Sequence, residues 1–157
     1  MMFERVNPGD PETAFLVVKN SYSTSALADG DWCAWDIVTD EDGVSVTKPG
    51  GASRSAIAGV SIGTIASGSN GVVQAWGYRT NVKCKGGSGS LTSKLTQGAI
   101  LKFATGNLAA QCFARNSAAL KSVHGKFPCG IVITALNTAA KATSGTTARY
   151  KVLVRCL

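Results

Sequence analysis

Apolar and polar positions along this chain alternate in short runs broken by turn residues, and that pattern predicts strands. AFLVVK (14–19) is apolar on both faces, as in a strand that is central or covered from outside its domain. WCAWDIV (32–38) follows the turn-forming ALADGD, and DEDG (40–43) separates it from Val44 and Val46, which alternate with Ser45 and Thr47. AIAGVSIG (56–63) and GVVQAWGYR (71–79) flank SGSNG, a hairpin signal. In the second of these, period two places Val72, Gln74, Trp76 and Tyr78 on one face and Val73, Ala75 and Gly77 on the other. Continued through NVKCK, the strand carries Arg79, Lys83 and Lys85 on one side, opposite Val82 and Cys84.

Further along the pattern weakens. Short strands are expected at SLTSKL and AILKFA, and a buried one at FPCGIVITAL (127–136), where Gly130 is a candidate bulge. LAAQCFARNSAALKSV (108–123) suits either a helical turn or a strand and loop. RYKVLVRCL closes the chain with Tyr150, Val152, Val154 and Cys156 on an apolar face and Arg149, Lys151 and Arg155 on a basic one. The breaker cluster NPGDPE makes residues 1–12 an N-terminal arm, leaving residues 13–157 as a single β domain. The expected fold is all-β, a compact sandwich or barrel of about eight to ten short strands with at most one short helix.

Composition supports that expectation. Apolar residues are 45% of the 157 and charged residues 16%, so the chain can form a core, but Ala and 18 Gly supply much of it. Small residues favour tight turns and closely packed strands over long helices. The uncharged run at 55–78 is long enough to span a bilayer. Its Ser, Thr, Asn, Gln and five glycines instead predict two strands and a turn, and no membrane association.

Charge changes the picture. All nine acids lie between Glu4 and Asp42, which gives residues 1–42 a net −7, whereas residues 43–157 hold 14 Lys and Arg and no acid. Segregation of this kind implies a polyanionic partner or electrostatic pairing between segments or subunits. In the second reading, the acidic third of one copy faces the basic body of a neighbour.

Candidate chemistry is sparse. There is one histidine, His124 in the loop-like SVHGKF, no carboxylate after Asp42 and no GxSxG elbow, so a nucleophile–base–acid set has few members to draw on. Five cysteines (Cys33, Cys84, Cys112, Cys129, Cys156) are dispersed, form no CxxC pair and are odd in number. With a charged, polar start unlike a secretory signal, they are expected to be reduced, buried thiols made in a cytosol. One His and scattered Cys do not form a zinc site, and DEDG lacks the spaced ligands of a calcium loop. GGSGS (86–90) and HGKF lack phosphate-loop spacing. No catalytic, cofactor-binding or metal-binding residue is therefore assigned, and the chain is expected not to be an enzyme. Trp76, Tyr78, Arg79, Lys83 and Lys85 combine aromatic and basic character, so a basic nucleic-acid-binding or nucleocapsid protein is the alternative reading. It is disfavoured because Trp76 and Tyr78 share their predicted face with Val72. Exposed tryptophans would also serve a glycan-binding module, and an enzyme would need an activated thiol.

One ordered series of motifs carries a resemblance. NSYSTSALADGDWCAWD, DGVSVTKP and AIAGVSIGTIASGSNGVVQAWGY resemble the small capsid cement, or head decoration, proteins of tailed bacteriophages. The matching positions are Gly30, Asp31, Trp35, Asp36, Gly43, Val46, Lys48, Pro49, Ala58, Gly59, Val60, Ile65, Gly68, Gly71, Val73, Gln74 and Gly77. The likeness extends over about 100 of the 157 residues, more loosely through LTSKLTQGAILKFATGN and KVLVRCL; residues 108–128 and the cysteine content depart from it. The resemblance implies a virion protein, made in the host cytoplasm, that binds the outer surface of a phage head and needs no cofactor. Its implied partners are the major capsid protein and copies of itself, a trimer being favoured. A related head-fibre base or tail component stays open. On that reading Phe3 and Arg5 anchor an arm, Met2–Val6, on a neighbouring subunit. Trp32 and Trp35 lie at or near a subunit contact, with core packing equally open for one of them. Arg79, Lys83 and Lys85 dock onto an acidic capsid surface.

Overall fold

The computed structural model describes residues 2–3, 12–40, 43–50, 56–85, 97–102, 110–112, 129–135 and 147–156. These residues are all-β, without a helix. Ten strands follow in order: β1 (Met2–Phe3), β2 (Ala14–Asn20), β3 (Trp32–Trp35), β4 (Ser45–Thr47), β5 (Ile57–Ile62), β6 (Asn70–Lys85), β7 (Ile100–Lys102), β8 (Ala110–Cys112), β9 (Gly130–Ala135) and β10 (Thr147–Arg155). The uncharged run at 55–78 is thus β5, a turn and the first half of β6, and no described helix is long and apolar enough to cross a membrane. Within 108–123, residues 110–112 form β8; the rest of that segment, SLTSKL, His124 and GGSGS lie outside the described residues.

The pairings close on themselves twice. β2, β4, β3, β5 and β6 form one circuit, and β6, β10, β9, β7 and β8 form a second. Strand direction must return to itself around a ring, so five strands cannot all pair antiparallel. Each circuit accordingly contains one parallel pair, β2–β4 in the first and β6–β8 in the second. Closure leaves few open ladder groups, which is how barrel-like sheets avoid edges. The 16-residue β6 is the wall shared by both.

Each circuit has its own core. Val18, Leu27, Cys33, Val46, Ala58, Ile65 and Val73 pack together in the first. Trp32, Val60, Val82, Cys84, Leu101, Cys129, Val132, Tyr150, Val152 and Val154 pack in the second. Trp32 and Val60 come from β3 and β5, so the outer side of the first circuit helps to fill the second.

Two bulges let β6 serve both cores. Ala14 pairs with Trp76 but Phe15 with Gln74, which leaves an extra residue at Ala75. Tyr150 pairs with Val82 and Val152 with Arg79, which leaves another near Asn81, whose φ is +72°. The first bulge overturns the predicted face: Gln74 is buried, and its Nε2 donates to the carbonyls of Trp76 and Tyr78, while Tyr78 is exposed. The second breaks the predicted row of Arg79, Lys83 and Lys85. Gly77, between the bulges, has φ +103°, and the carbonyl of Glu12 passes where its Cβ would lie. A side chain there would meet backbone.

Two residues of the expected Met2–Val6 arm are described. Met2 and Phe3 pair with Phe15 and Ala14 of the same chain, so this part of it adds to its own sheet.

Candidate functional site

The turn before β3, Ala28–Trp32, is where the acidic third meets the basic body. Gly30 has φ +81° and lies directly on the Asn81 carbonyl, so a side chain there would be strained and would collide with backbone. Its N–H donates to the Ser61 carbonyl at 3.2 Å, and its carbonyl accepts the Lys83 N–H at 3.0 Å. Asp31, buried, accepts the Ala28 N–H on Oδ2 at 2.8 Å and Lys83 Nζ on Oδ1 at 2.6 Å. Asp29 accepts Arg79 Nη2 at 2.6 Å, Asn81 Nδ2 at 2.9 Å and the Gly63 N–H at 2.9 Å, with Arg149 Nη1 at 3.8 Å. Trp32 donates its indole Nε1–H to the Lys83 carbonyl at 3.0 Å. The turn therefore clasps β5, β6 and β10.

A second polar centre braces the first circuit. Asp36 accepts the Ser21 hydroxyl at 2.6 Å, and the Thr39 hydroxyl and N–H. Asn20, fully buried, donates to the Ile65 carbonyl and accepts the Tyr22 N–H, both at 2.9 Å.

These contacts set the carboxyl acidities. Burial acts to raise Asp29, but the Gly63 N–H, Arg79, Asn81 and Arg149 outweigh it, and the group titrates below the usual range. Hydrogen bonds from Ser21 and Thr39 lower Asp36 against its burial. Both groups are more acidic folded than unfolded. Their stabilisation is complete above the unfolded value of about 3.9 and is lost as pH falls through their folded values. The melting temperature should stay level from pH 7 to about 5 and fall below about pH 4. Asp36→Asn should start lower and fall less steeply; an equally steep fall would show that the Asp36 network contributes nothing.

The residues expected at contacts are placed as follows. Trp32 is fully buried in the second core, so it takes no part in a surface contact. It fills the space between the two circuits, which a solvent-facing ring could not. Trp35 is half-buried against the first core. Arg79 and Lys83 are engaged by Asp29 and Asp31 and are not free cations. Lys85 ends β6, half-buried, opposite Thr147. Phe3 lies in β1, and Arg5 is outside the described residues.

The charge segregation has an internal use as well. Asp29, Asp31, Asp36 and Asp40 are all bonded within the chain, Asp40 accepting the Ser45 N–H at 2.7 Å. These four acids therefore have partners within the chain. Glu12 is exposed, and Glu4, Asp10, Glu41 and Asp42 lie outside the described residues.

Burial works against thiol chemistry at three of the cysteines. Burial raises the Cys33 and Cys129 thiols well above their ordinary value and pushes Cys156 up to about 12. A protonated thiol is a poor nucleophile. Among the described residues, no three His, Cys, Asp or Glu side chains come together as a metal site.

What the surface offers is contact chemistry. Val17, on the outer side of β2, is 76% exposed, and its cross-strand partner Val72 is also exposed. The strand predicted to be apolar on both faces thus leaves one face open. On β6 and β10, Arg155 lies 5.5 Å from the Trp76 ring centre and Lys151 lies 5.8 Å from that of Tyr78. Sequence reasoning missed Lys151 and Arg155 as partners of these rings; the alternating basic residues of RYKVLVRCL were the available signal. Comparison with family models, curated proteins and solved structures finds no match to this chain.

Proposed function

We propose that this chain is a structural virion protein that binds the outside of a tailed-phage capsid as a cement, or decoration, protein. The observation that carries the reading is the structural role of the residues behind the resemblance. Gly30 and Asp31 form the clasp, Asp36 braces the first circuit, and Val46, Ala58, Val60, Ile65, Val73 and Gln74 are buried. Gly77 permits the close passage of Glu12 and Thr13 over β6. The motif is therefore architecture, and a family likeness in it is a likeness in how the first half folds.

A cement protein needs a rigid body and exposed contact surface. Closed circuits supply the first, and the uncovered Val17 and Val72 are available for the second. Docking over roughly 1,000–2,000 Å² per copy is sufficient for specificity, and repetition over a shell adds avidity. The natural assembly on this reading is a trimer on the capsid surface, with the apolar β2 face against a neighbour.

The test is co-sedimentation with phage heads assembled without this protein, at low and high salt, beside a free-DNA control. Saturable binding to heads and none to DNA is expected. Salt-sensitive binding to DNA with none to heads would replace this reading with the nucleic-acid one.

A further inference from the structure

The outward face of β6, β10, β9 and β7 carries an apolar row flanked by cations. Tyr78 pairs with Leu153, Leu153 with Ile131, and Ile131 with Ile100, so four side chains lie side by side across four strands. At about 4.8 Å between strands, the row is about 14 Å wide. Tyr78 is 44% exposed and Ile100 is 42% exposed, with Leu153 and Ile131 half-buried between them. The other side of these strands is the second core, where Val152, Val154 and Val132 are buried. The row is thus surplus to the fold.

Among the described residues its charge has one sign. Lys151 and Arg155 stand on this face, over Tyr78 and Trp76, and no acid occurs anywhere after Asp42. Glu12 crosses β6 at Gly77, where a Cβ would point to the opposite side, the side of its partner Val154. Arg79, Lys83 and Arg149 are bound to Asp29 or Asp31, whereas no carboxylate among the described residues bridges Lys151 or Arg155.

We propose that this four-strand face is the docking surface for an acidic protein partner, which on the cement reading is an acidic patch of the capsid shell. The assignment of partner rests on that reading; the chemistry of the face rests on the residues above. Carboxylates of the partner would meet Lys151 and Arg155 while its apolar atoms cover Tyr78, Leu153 and Ile131. Trp, Tyr and Arg are the side chains that concentrate binding energy in protein contacts. Nucleic acid fits less well, because base stacking needs an open ring face, and the two cations lie over the rings.

The test compares wild type, Lys151→Glu/Arg155→Glu, and Lys48→Glu/Ser25→Glu, which makes a charge change of the same sign on the first circuit at positions outside β2. Each is titrated onto heads assembled without this protein, with thermal melts to verify folding and a single-stranded oligothymidine as a second probe. Tyr78→Ala, which leaves charge unaltered, is the fourth sample. Reversal at 151 and 155 should weaken head binding at least about tenfold. Tyr78→Ala should weaken it measurably, and the control pair should bind as wild type. Wild-type binding that survives both the 151/155 reversal and Tyr78→Ala would overturn the face while leaving the cement reading intact. Equal loss in the control pair would reduce the effect to overall charge and also overturn it. Oligothymidine binding abolished only by the 151/155 reversal would reassign the face to nucleic acid. No binding of wild type to heads would overturn both proposals together.

Discussion

Trp32→Ala is expected to lower folding stability by about 3–5 kcal/mol, the range for emptying a fully buried large aromatic site. Among the described residues Trp32 is the largest fully buried side chain, it sits between the two circuits, and its indole approaches Gly130 of β9. Truncation would open a cavity against β5, β9 and β10 at once and leave the Lys83 carbonyl without its indole donor. Few domains hold more than about 5–15 kcal/mol in total, so the loss would be a large fraction of it. A urea midpoint at unchanged slope would measure it. Trp32→Phe separates the two terms: it keeps most of the volume and removes the N–H, and should cost clearly less than the alanine. A Trp32→Ala midpoint equal to wild type would mean that the second core does not depend on the ring.

Much of the strand inventory was legible in the sequence because alternation and turn residues are local signals. AFLVVK, the WCAW of WCAWDIV, the IAGVSI of AIAGVSIG, the long GVVQAWGYRTNVKCK and the closing KVLVR all lie on strands, whereas Asp36, Ile37 and Val38 leave β3 for a turn. Faces were harder. A period of two cannot register an added residue, so the bulge at Ala75 reversed the predicted sides of Trp76 and Tyr78 relative to Gln74, and the one near Asn81 set Arg79 apart from Lys83 and Lys85. Asn in a valine-rich strand and Gly77 between two aromatics were hints of irregularity, though not of its direction. Ion-pair partners were not legible at all. Asp29 and Arg79 are 50 positions apart, and only the closure of both circuits brings the 28–32 turn onto β6. The resemblance made Trp32 a contact candidate with core packing equally open, and only β9 packed against its ring decides for the core.

The charge clasp gives the second large effect. Asp31→Ala should cost about 2–4 kcal/mol, somewhat under the range for breaking a buried ion pair, because Lys83 retains some access to water. Asp31 is 1% exposed, whereas the Lys83 side chain is 24% exposed. Two losses combine: Lys83 Nζ loses its carboxylate, and the Ala28 N–H loses the acceptor that shapes the turn. Asp31→Asn should fall between, since an amide oxygen can still accept from Ala28 while its NH2 faces the ammonium. Lys83→Met alone should cost less than Asp31→Ala, and the double variant should cost less than the two singles added, which is the signature of direct coupling. Running the urea titrations at two protein concentrations distinguishes this internal role from pairing between copies. An internal clasp gives the same loss at both concentrations. A contact between copies would make the loss grow with concentration, because association stabilises by mass action, and would return the acidic third to the subunit interface.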